Sequence, residues 1–370
     1  MLDILLQVAI QRAAARQLVR GVGEYARRHG PWRIDFDERP SAQSLKSRDL
    51  SSFDGIIFDG HNAELTAVVR QSGLPAVAVA TPNPLEGIPT VVSDHEGVGR
   101  MAAEHLLDRG LTQFGYARLR PSEFSHPRGK AFVRAVERQG YPCERFEPPA
   151  DVAHGHEALE AWLWALPKPV GILAEEDRRA LTIIRTAGRC GLRVPEQVAV
   201  IGVNNEELFA ELSWPTITSI DHGAERIGRD AAGLLERMIR GEQVPRVLIV
   251  PPVRVVERHS TDILAVDDAD LAGALRLIRR EAAEGLSVEQ VLEQVAVSRT
   301  TLENRFKAVL GRTIFAEITR VRIERVKTLL RTTDLGLADI AARTGFRYVS
   351  HLSKAFRKAA GQTPTQYRRR

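Results

Sequence analysis

Two groups of side chains in this 370-residue chain have types and positions suited to gripping a partner rather than breaking a bond. The first lies near the carboxyl end, where Arg299, Thr300, Glu303, Asn304 and Lys307 surround Leu302 and Phe306. Fifty residues later Arg347, Val349, Ser350, Ser353, Lys354 and Arg357 surround Leu352 and Phe356 in the same way. Residues four apart share a helical face, so each Leu–Phe pair packs inward and turns its neighbours outward. Asn can pair bidentately with adenine, Glu can accept from cytosine, and Thr can touch a thymine methyl. Arg347, Arg357, Lys358 and Arg368 to Arg370 suit phosphates, which position without specifying. The second group is Arg128, Asp177, Asn204 and Asn205, at carboxyl ends of expected strands or at helix starts, where ligands bind in open α/β sheets. Their planar or charged groups can hold paired hydroxyls. His61, Asp94, His95 and His222 join this group, with capping or a surface position as the competing reading. Phe58, Phe124, Trp164 and Trp214 can stack on a ring, with core packing as the alternative.

The elements that must hold the first group follow from a repeat. Leu302 matches Leu352, Phe306 matches Phe356, Lys307 matches Arg357, Gly311 matches Gly361 and Thr313 matches Thr363. Each Gly falls where a helix needs a left-handed end. Ser287 with Gln290 forms a capping box, so a helix is expected from Val288 with Val291, Leu292 and Val295 buried. Ser298 is placed to cap the next helix, which buries Leu302, Phe306 and Leu310. A connecting helix buries Ile314, Ile318, Val321, Val326, Leu329 and Leu330. A second unit runs from Leu337, Ile340 and Ala341 through Gly345-Phe346 into a helix over 348–360. This is the layout of two helix-turn-helix units, about 287–311 and 337–361, within a domain of residues 271–370.

The second group sits in a different architecture. Up to about Glu257, short β-branched runs alternate with amphipathic stretches, the signature of a parallel sheet flanked by helices. Strands are expected at 4–9, 55–59, 76–80, 114–117, 171–174 and 198–203, and helices at 17–28, 97–109, 128–139, 178–190 and 224–240. So many units are consistent with two similar lobes and a cleft between them. Residues 259–270 are polar and aperiodic and read as a linker, leaving 1–258 as the front domain. Residues 270–370 carry 20 Lys/Arg against 10 Asp/Glu, although the whole chain is only +5. Such asymmetry is the footprint of a nucleic-acid-binding module joined to an acidic one. Cys143 and Cys190 lack paired spacing, so neither a disulfide framework nor a metal site is expected, and they read as small core residues in a reducing cytoplasm. No segment suggests a signal peptide or membrane span. There is no Gly-rich phosphate loop, no G-x-S-x-G elbow and no metal-spaced His/Cys cluster, so neither catalysis nor a cofactor is expected.

The stretches LENRFKAVLGRTIFAEITRVRIERVKTLL, LADIAARTGF and SHLSKAFRKAAGQTPTQYR together resemble the AraC-type DNA-binding domain across 271–368. The front domain resembles LacI-type effector domains, which are related to periplasmic sugar-binding proteins. It does so through Asp94 with Glu104-His105-Leu106, Arg128 to Phe132, Gly191 with Val194-Pro195, Val200-Ile201-Gly202, Pro215 to Ser219, and Arg258 with Ser260-Thr261. A reader placed behind the effector domain resembles the order in xylose-responsive regulators, as does the phrase from Ile201 to Leu208. The resemblance implies a bilobed, periplasmic-binding-protein-like α/β fold followed by an all-α domain. It also implies a small sugar effector, with a pentose as the class, double-stranded operator DNA as partner, a homodimer, and RNA polymerase as a further candidate contact. Asn204 stands where these families usually carry Asp, which exchanges one acceptor for a donor. A sugar-responsive transcription factor is the leading expectation. A cytoplasmic α/β enzyme acting on a small carbohydrate is the alternative, and a sugar-transport component is a third.

Overall fold

Apolar runs and Gly- or Asp-marked turns fold the front of the chain into twelve strands among the described residues. They are β1 Leu2–Gln7, β2 Trp32–Asp37, β3 Gly55–Asp59, β4 Ala76–Val79, β5 Thr90–Ser93, β6 Gln113–Ala117, β7 Cys143–Phe146, β8 Val170–Ala174, β9 Val198–Val203, β10 Thr218–Asp221, β11 Val247–Val250 and β12 Arg254–Val256. The computed structural model describes residues 1–37, 39–118, 125–148, 155–263 and 268–368. The strands form two six-stranded sheets, ordered β11-β5-β4-β3-β1-β2 and β12-β10-β9-β8-β6-β7. Pairing is parallel except between β10 and β12. Strands β4, β8 and β9 are buried along their whole length, as expected where helices cover both faces of a parallel sheet.

The helices of this region are α1 Ala13–His29, α2 Ala42–Lys46, α3 Ala63–Ser72, α4 His95–Leu107, α5 Ser125–Glu137, α6 Gly155–Ala165, α7 Asp177–Arg189, α8 Glu207–Leu212 and α9 Ala224–Ile239. The expected strands and helices are all present, with ends shifted by a few residues. The chain passes between the sheets after β5, after β10 and between β11 and β12. Each sheet has its own apolar core. One holds Ile4, Leu6, Ile57, Val77 and Leu235, and the other Ile172, Ile183, Val198 and Val200. Two lobes thus face each other across these crossings.

The rest of the chain is helical: α10 Ala269–Glu281, α11 Val288–Leu292, α12 Arg299–Leu310, α13 Ile314–Thr332, α14 Leu337–Ala342, α15 Val349–Ala360 and α16 Pro364–Arg368. The Ser287 and Gln290 capping box is formed, and the Ser298 side chain accepts from the Thr301 N–H at the start of α12. Gly311 and Gly361 end α12 and α15 in left-handed geometry. Leu302, Phe306, Ile314 and Ile318 share one core, and Ile323, Val326, Leu330, Leu352 and Phe356 share the next. The long α13 therefore lends one half of its apolar face to each unit. Leu292, Val295, Leu310, Val321 and Leu329 are only partly buried at the margins. Gly345, at φ +72°, is required by space as well as conformation, since a Cβ there would stand 2.6 Å from the Ala282 carbonyl oxygen.

The chain divides into two compact units, residues 1–105 with 112–262 and residues 106–111 with 263–370. This corrects the linker expectation at its start. Ser260 and Thr261 are fully buried; Ser260 Oγ donates to the Val200 carbonyl at 2.6 Å and accepts from the Thr218 N–H at 2.9 Å. Polar composition hid a tie that closes the second sheet. At the other end, Asp268 already caps α10, and the remainder of the expected linker, 264–267, lies outside the described residues. Both cysteines are half-buried, and Cys190 packs against the apolar core of the second sheet as expected, whereas Cys143 starts β7.

In the second unit, Glu317 on α13 is fully buried between two guanidiniums. Arg312 Nε donates to it at 2.5 Å and Arg320 Nη2 at 2.8 Å. Both arginines also pair with Asp108 of the 106–111 segment. Burial opposes the charge on Glu317, yet the guanidiniums outweigh it and hold the carboxyl below its ordinary range.

Candidate functional site

The carboxyl ends of the strands place polar residues where the two lobes face each other. Arg128, on the first turns of α5, is 6% exposed. Its Nε donates to His95 Nδ1 at 3.1 Å, and its Nη1 donates to the Glu175 carbonyl at 3.2 Å. Burial lowers its pKa to about 10, with Tyr116 and nearby carboxylates working the other way, so it stays charged at neutral pH. His95 begins α4 just after the first crossing, and His222 lies in the second, between β10 and α9. Both imidazoles are neutral: burial, reinforced by the Arg128 charge, pushes His95 down to about 2 and His222 down to about 3. Ser93 Oγ lies 3.3 Å from His222 Nδ1 and ties the two crossings together. His222 Nε2 is buried without a hydrogen-bond partner among the described residues, and so is Oε1 of the fully buried Gln7 at the end of β1. A buried cation flanked by neutral imidazoles and orphaned polar atoms is a surface for hydroxyl groups, since each such atom is costly to leave unpaired.

The other expected residues divide. Asn204 follows β9 at φ +100°, half-buried, with no side-chain hydrogen bond among the described residues. Asn205, at φ +47°, is tied into its own lobe, because its Oδ1 accepts from Arg258 Nη2 at 3.0 Å. Asp177 is 1% exposed with both oxygens already engaged, by Ser219 Oγ at 2.5 Å and by the Glu206 N–H at 2.7 Å. Asp94 caps α4 through the Gly97 N–H at 2.7 Å. His61 is exposed just beyond β3. Of the aromatic candidates, Phe58 is a core residue in β3, Trp164 is 61% and Trp214 84% exposed, and Phe124 lies outside the described residues. Gln7 and Glu175 were missed. The available signal was a polar residue closing the apolar strand LDILLQ, and a Glu directly after VGILA.

On the helical unit, Arg299, Thr300, Asn304 and Lys307 are exposed on α12, and Val349, Ser350, Lys354 and Arg357 on α15. Ser353 is half-buried. With Lys354, Arg357, Lys358 and Thr363 it lines a surface depression that places three cations side by side. Arg347 is exposed and lies over the Tyr348 ring at 5.4 Å. Two expectations shift. Glu303 turns back to accept from the Ile314 N–H at 3.4 Å, which serves the start of α13. Arg368 donates to the Leu335 carbonyl, so it braces the fold, while Arg369 and Arg370 lie outside the described residues.

Comparison with known proteins agrees with this division. Residues 103–261 match the model of a periplasmic binding protein-like domain, and residues 291–370 that of a helix-turn-helix domain. The xylose operon regulatory protein of Escherichia coli K12 is 34% identical over 96% of this chain and 94% of its own length. That of Haemophilus influenzae is 31% identical over 95% and 94%. The chain belongs to the family of xylose operon regulatory proteins. A solved structure of the xylose-binding transcription activator XylR aligns with 100% of this chain and 98% of its own, at TM-score 0.64 and 32% identity. A LacI family regulator from Enterococcus faecium with bound ribose aligns with 71% of this chain at TM-score 0.58, and at 21% identity it shows the fold alone. As a member of this family the chain is a sugar-responsive, DNA-binding transcriptional regulator. Among the described residues no helix is long and apolar enough to cross a membrane, and no His, Cys, Asp or Glu cluster could hold a metal.

Proposed function

We propose that the effector is a pentose, D-xylose first among them, bound between the lobes by Arg128, His95, His222, Gln7 and Asn204. The observation that carries this reading is the buried Arg128 guanidinium beside two neutral imidazoles, with unpaired acceptor and donor capacity at Gln7 and His222. A charged donor beside neutral partners suits an uncharged, hydroxyl-rich ligand. The relatives' names, which specify xylose, support the same class. Direct roles for His61 and Asp94 receive less support, since one is exposed and the other caps a helix.

On the helical unit, Thr300 and Asn304 with Val349 and Ser350 read base edges, and Lys307, Arg347, Lys354 and Arg357 hold phosphates. The regulator works in the cytoplasm as a homodimer without catalytic activity, two chains bringing four reading helices to an operator. Lobe closure on the sugar alters how the paired readers are presented, and RNA polymerase is the contact through which such a change reaches transcription. Calorimetry of the full chain against D-xylose, D-ribose, L-arabinose and D-glucose tests the effector, with heat expected from a pentose. Operator affinity with and without that sugar tests the response, and the expected coupling is roughly 1–3 kcal/mol. A silent titration against all three pentoses overturns the effector assignment. A sugar effect equally large on one half-site as on two overturns the dimer mechanism.

A further inference from the structure

Asn204 and Asn205 are consecutive non-glycine residues in the left-handed region, a conformation that relaxes unless its surroundings enforce it. Three ties hold their backbone. The Asn204 N–H donates to the Ile220 carbonyl at 2.9 Å, the Asn205 N–H to Ser219 Oγ at 2.9 Å, and the Glu206 N–H to Asp177 Oδ2 at 2.7 Å. Asp177 governs two of the three. Its Oδ1 takes the Ser219 hydroxyl hydrogen at 2.5 Å, so a lone pair of that hydroxyl is left for the Asn205 N–H. Gly202 makes room for this carboxylate, because a Cβ there would stand 2.1 Å from Asp177 Oδ1.

The same turn spans the lobes. Gln17 of α1 donates its Nε2 to the Asn204 and Asn205 carbonyls, at 3.4 Å each, and Arg16 pairs with Glu206 at 3.0 Å. Helix α1 packs in the core of the first sheet, while the turn belongs to the second. A carboxylate inside one lobe therefore sets the backbone to which the other lobe is fastened.

We propose that Asp177 is a positioning residue for the sugar site: through Ser219 and the Glu206 N–H it holds the Asn204–Asn205 turn in the geometry that places Asn204 at the cleft and fastens the turn to Gln17 and Arg16, and it does not itself touch the sugar. This rests on the pentose reading above. It replaces direct contact by Asp177, whose two oxygens are buried and already turned to protein donors.

Three substitutions at two positions separate these roles. Asp177→Ala removes both ties. Ser219→Ala removes only the relay to Asn205. Asp177→Asn keeps an oxygen for the Glu206 N–H and turns its NH2 to Ser219 Oγ, whose second lone pair still receives the Asn205 N–H. With full chain and D-xylose in a calorimeter, Asp177→Ala and Ser219→Ala each weaken binding about tenfold, the scale of a lost buried hydrogen bond. Asp177→Asn keeps both backbone ties but leaves the buried Ser219 hydroxyl hydrogen without an acceptor, so it weakens binding less than Asp177→Ala does. Adding Asp177→Ala to Asn204→Ala costs clearly less than the product of the two single losses, because the part of the effect that runs through Asn204 is already gone. If Asp177→Asn is as damaging as Asp177→Ala, or the double variant loses the product of the single losses, the carboxylate acts directly and the proposal is wrong. If Asp177→Ala does not fold, Ser219→Ala and Asp177→Asn decide alone: wild-type affinity in Ser219→Ala overturns the proposal. Wild-type protein that binds D-xylose with all variants unaffected overturns the proposal only, whereas wild-type protein that binds no D-xylose removes the reading beneath it as well.

Discussion

In the cleft of the first unit the charged groups are buried and held by protein partners, whereas the cations that the reading helices offer to DNA are exposed. Arg128 is 6% exposed and bonded to an imidazole and a carbonyl; Lys307, Lys354 and Arg357 stand in solvent. The difference teaches how each region recognises its partner. A buried polar group has a fixed direction, and any ligand that fails to match it leaves an unpaired atom, so discrimination comes from geometry. An exposed cation attracts any polyanion at a distance, and selectivity depends on the few side chains that reach base edges.

Four measurements break or sharpen this contrast. The largest effect should come from salt. With several phosphate contacts on the basic unit, operator affinity of the full chain should fall by about 10³ between 50 and 200 mM salt, whereas sugar affinity should hardly move. A weak slope on DNA would show that the exposed cations are not the anchor. Next, Arg128→Ala should weaken pentose binding by about 100-fold while the sugar-free chain keeps its operator affinity, because the guanidinium serves the ligand more than the core. Normal titration by this variant would displace the cleft assignment. Third, Asn304→Ala should reduce discrimination between cognate and altered operator by about tenfold, and Lys354→Ala should weaken binding to both equally. Equal loss on both sequences for Asn304→Ala would turn it into a phosphate contact.

The last measurement, of stability rather than affinity, concerns pH and a buried charge within the helical unit. Glu317 is held below its ordinary value of 4.5, so its contribution is complete above that value and is lost as pH falls through the lower, folded one. Unfolding of the helical unit should respond little to this group between pH 7 and 5, then shift down by a few degrees below pH 4.5. Glu317→Gln should remove that part of the slope and lower stability at neutral pH by about 3 kcal/mol, since it strips a partner from buried Arg312 and Arg320. An unchanged acid slope in Glu317→Gln would assign the acid response to other carboxylates.

How far local residues disclose their roles follows from the range of the interactions involved. The Ser287–Gln290 box, the Ser298 cap and the Gly311 and Gly361 ends involve partners within four residues, so the two helix-turn-helix units were legible before any fold was known. The inward faces of Leu302, Phe306, Leu352 and Phe356 follow from helical period alone. Strand positions were equally readable, because short β-branched apolar runs such as VGILA and VAVIGV, alternating with amphipathic stretches, suit a covered sheet. The direction of long polar side chains was not. Asp177 was placed correctly at a strand end, yet its oxygens turn to Ser219 and Glu206, which lie 42 and 29 residues away.

Glu303 and Arg368 show the same limit in the reader: helical phase put Glu303 outward and charge assigned Arg368 to phosphate, yet the Ile314 N–H and the Leu335 carbonyl claim them. Ser260 and Thr261 show it at the boundary, where a polar stretch closes the second sheet through Val200 and Thr218. Sequence alone therefore determined the two-sheet and all-helical parts, the order of the parts, and the residue types offered to sugar and DNA, because periodicity, caps and turn chemistry act within a few residues. Only the tertiary structure decided which polar groups face a ligand and which brace the protein. A buried donor or acceptor takes the nearest partner in space, and that partner is set by chain crossings and packing over tens of residues.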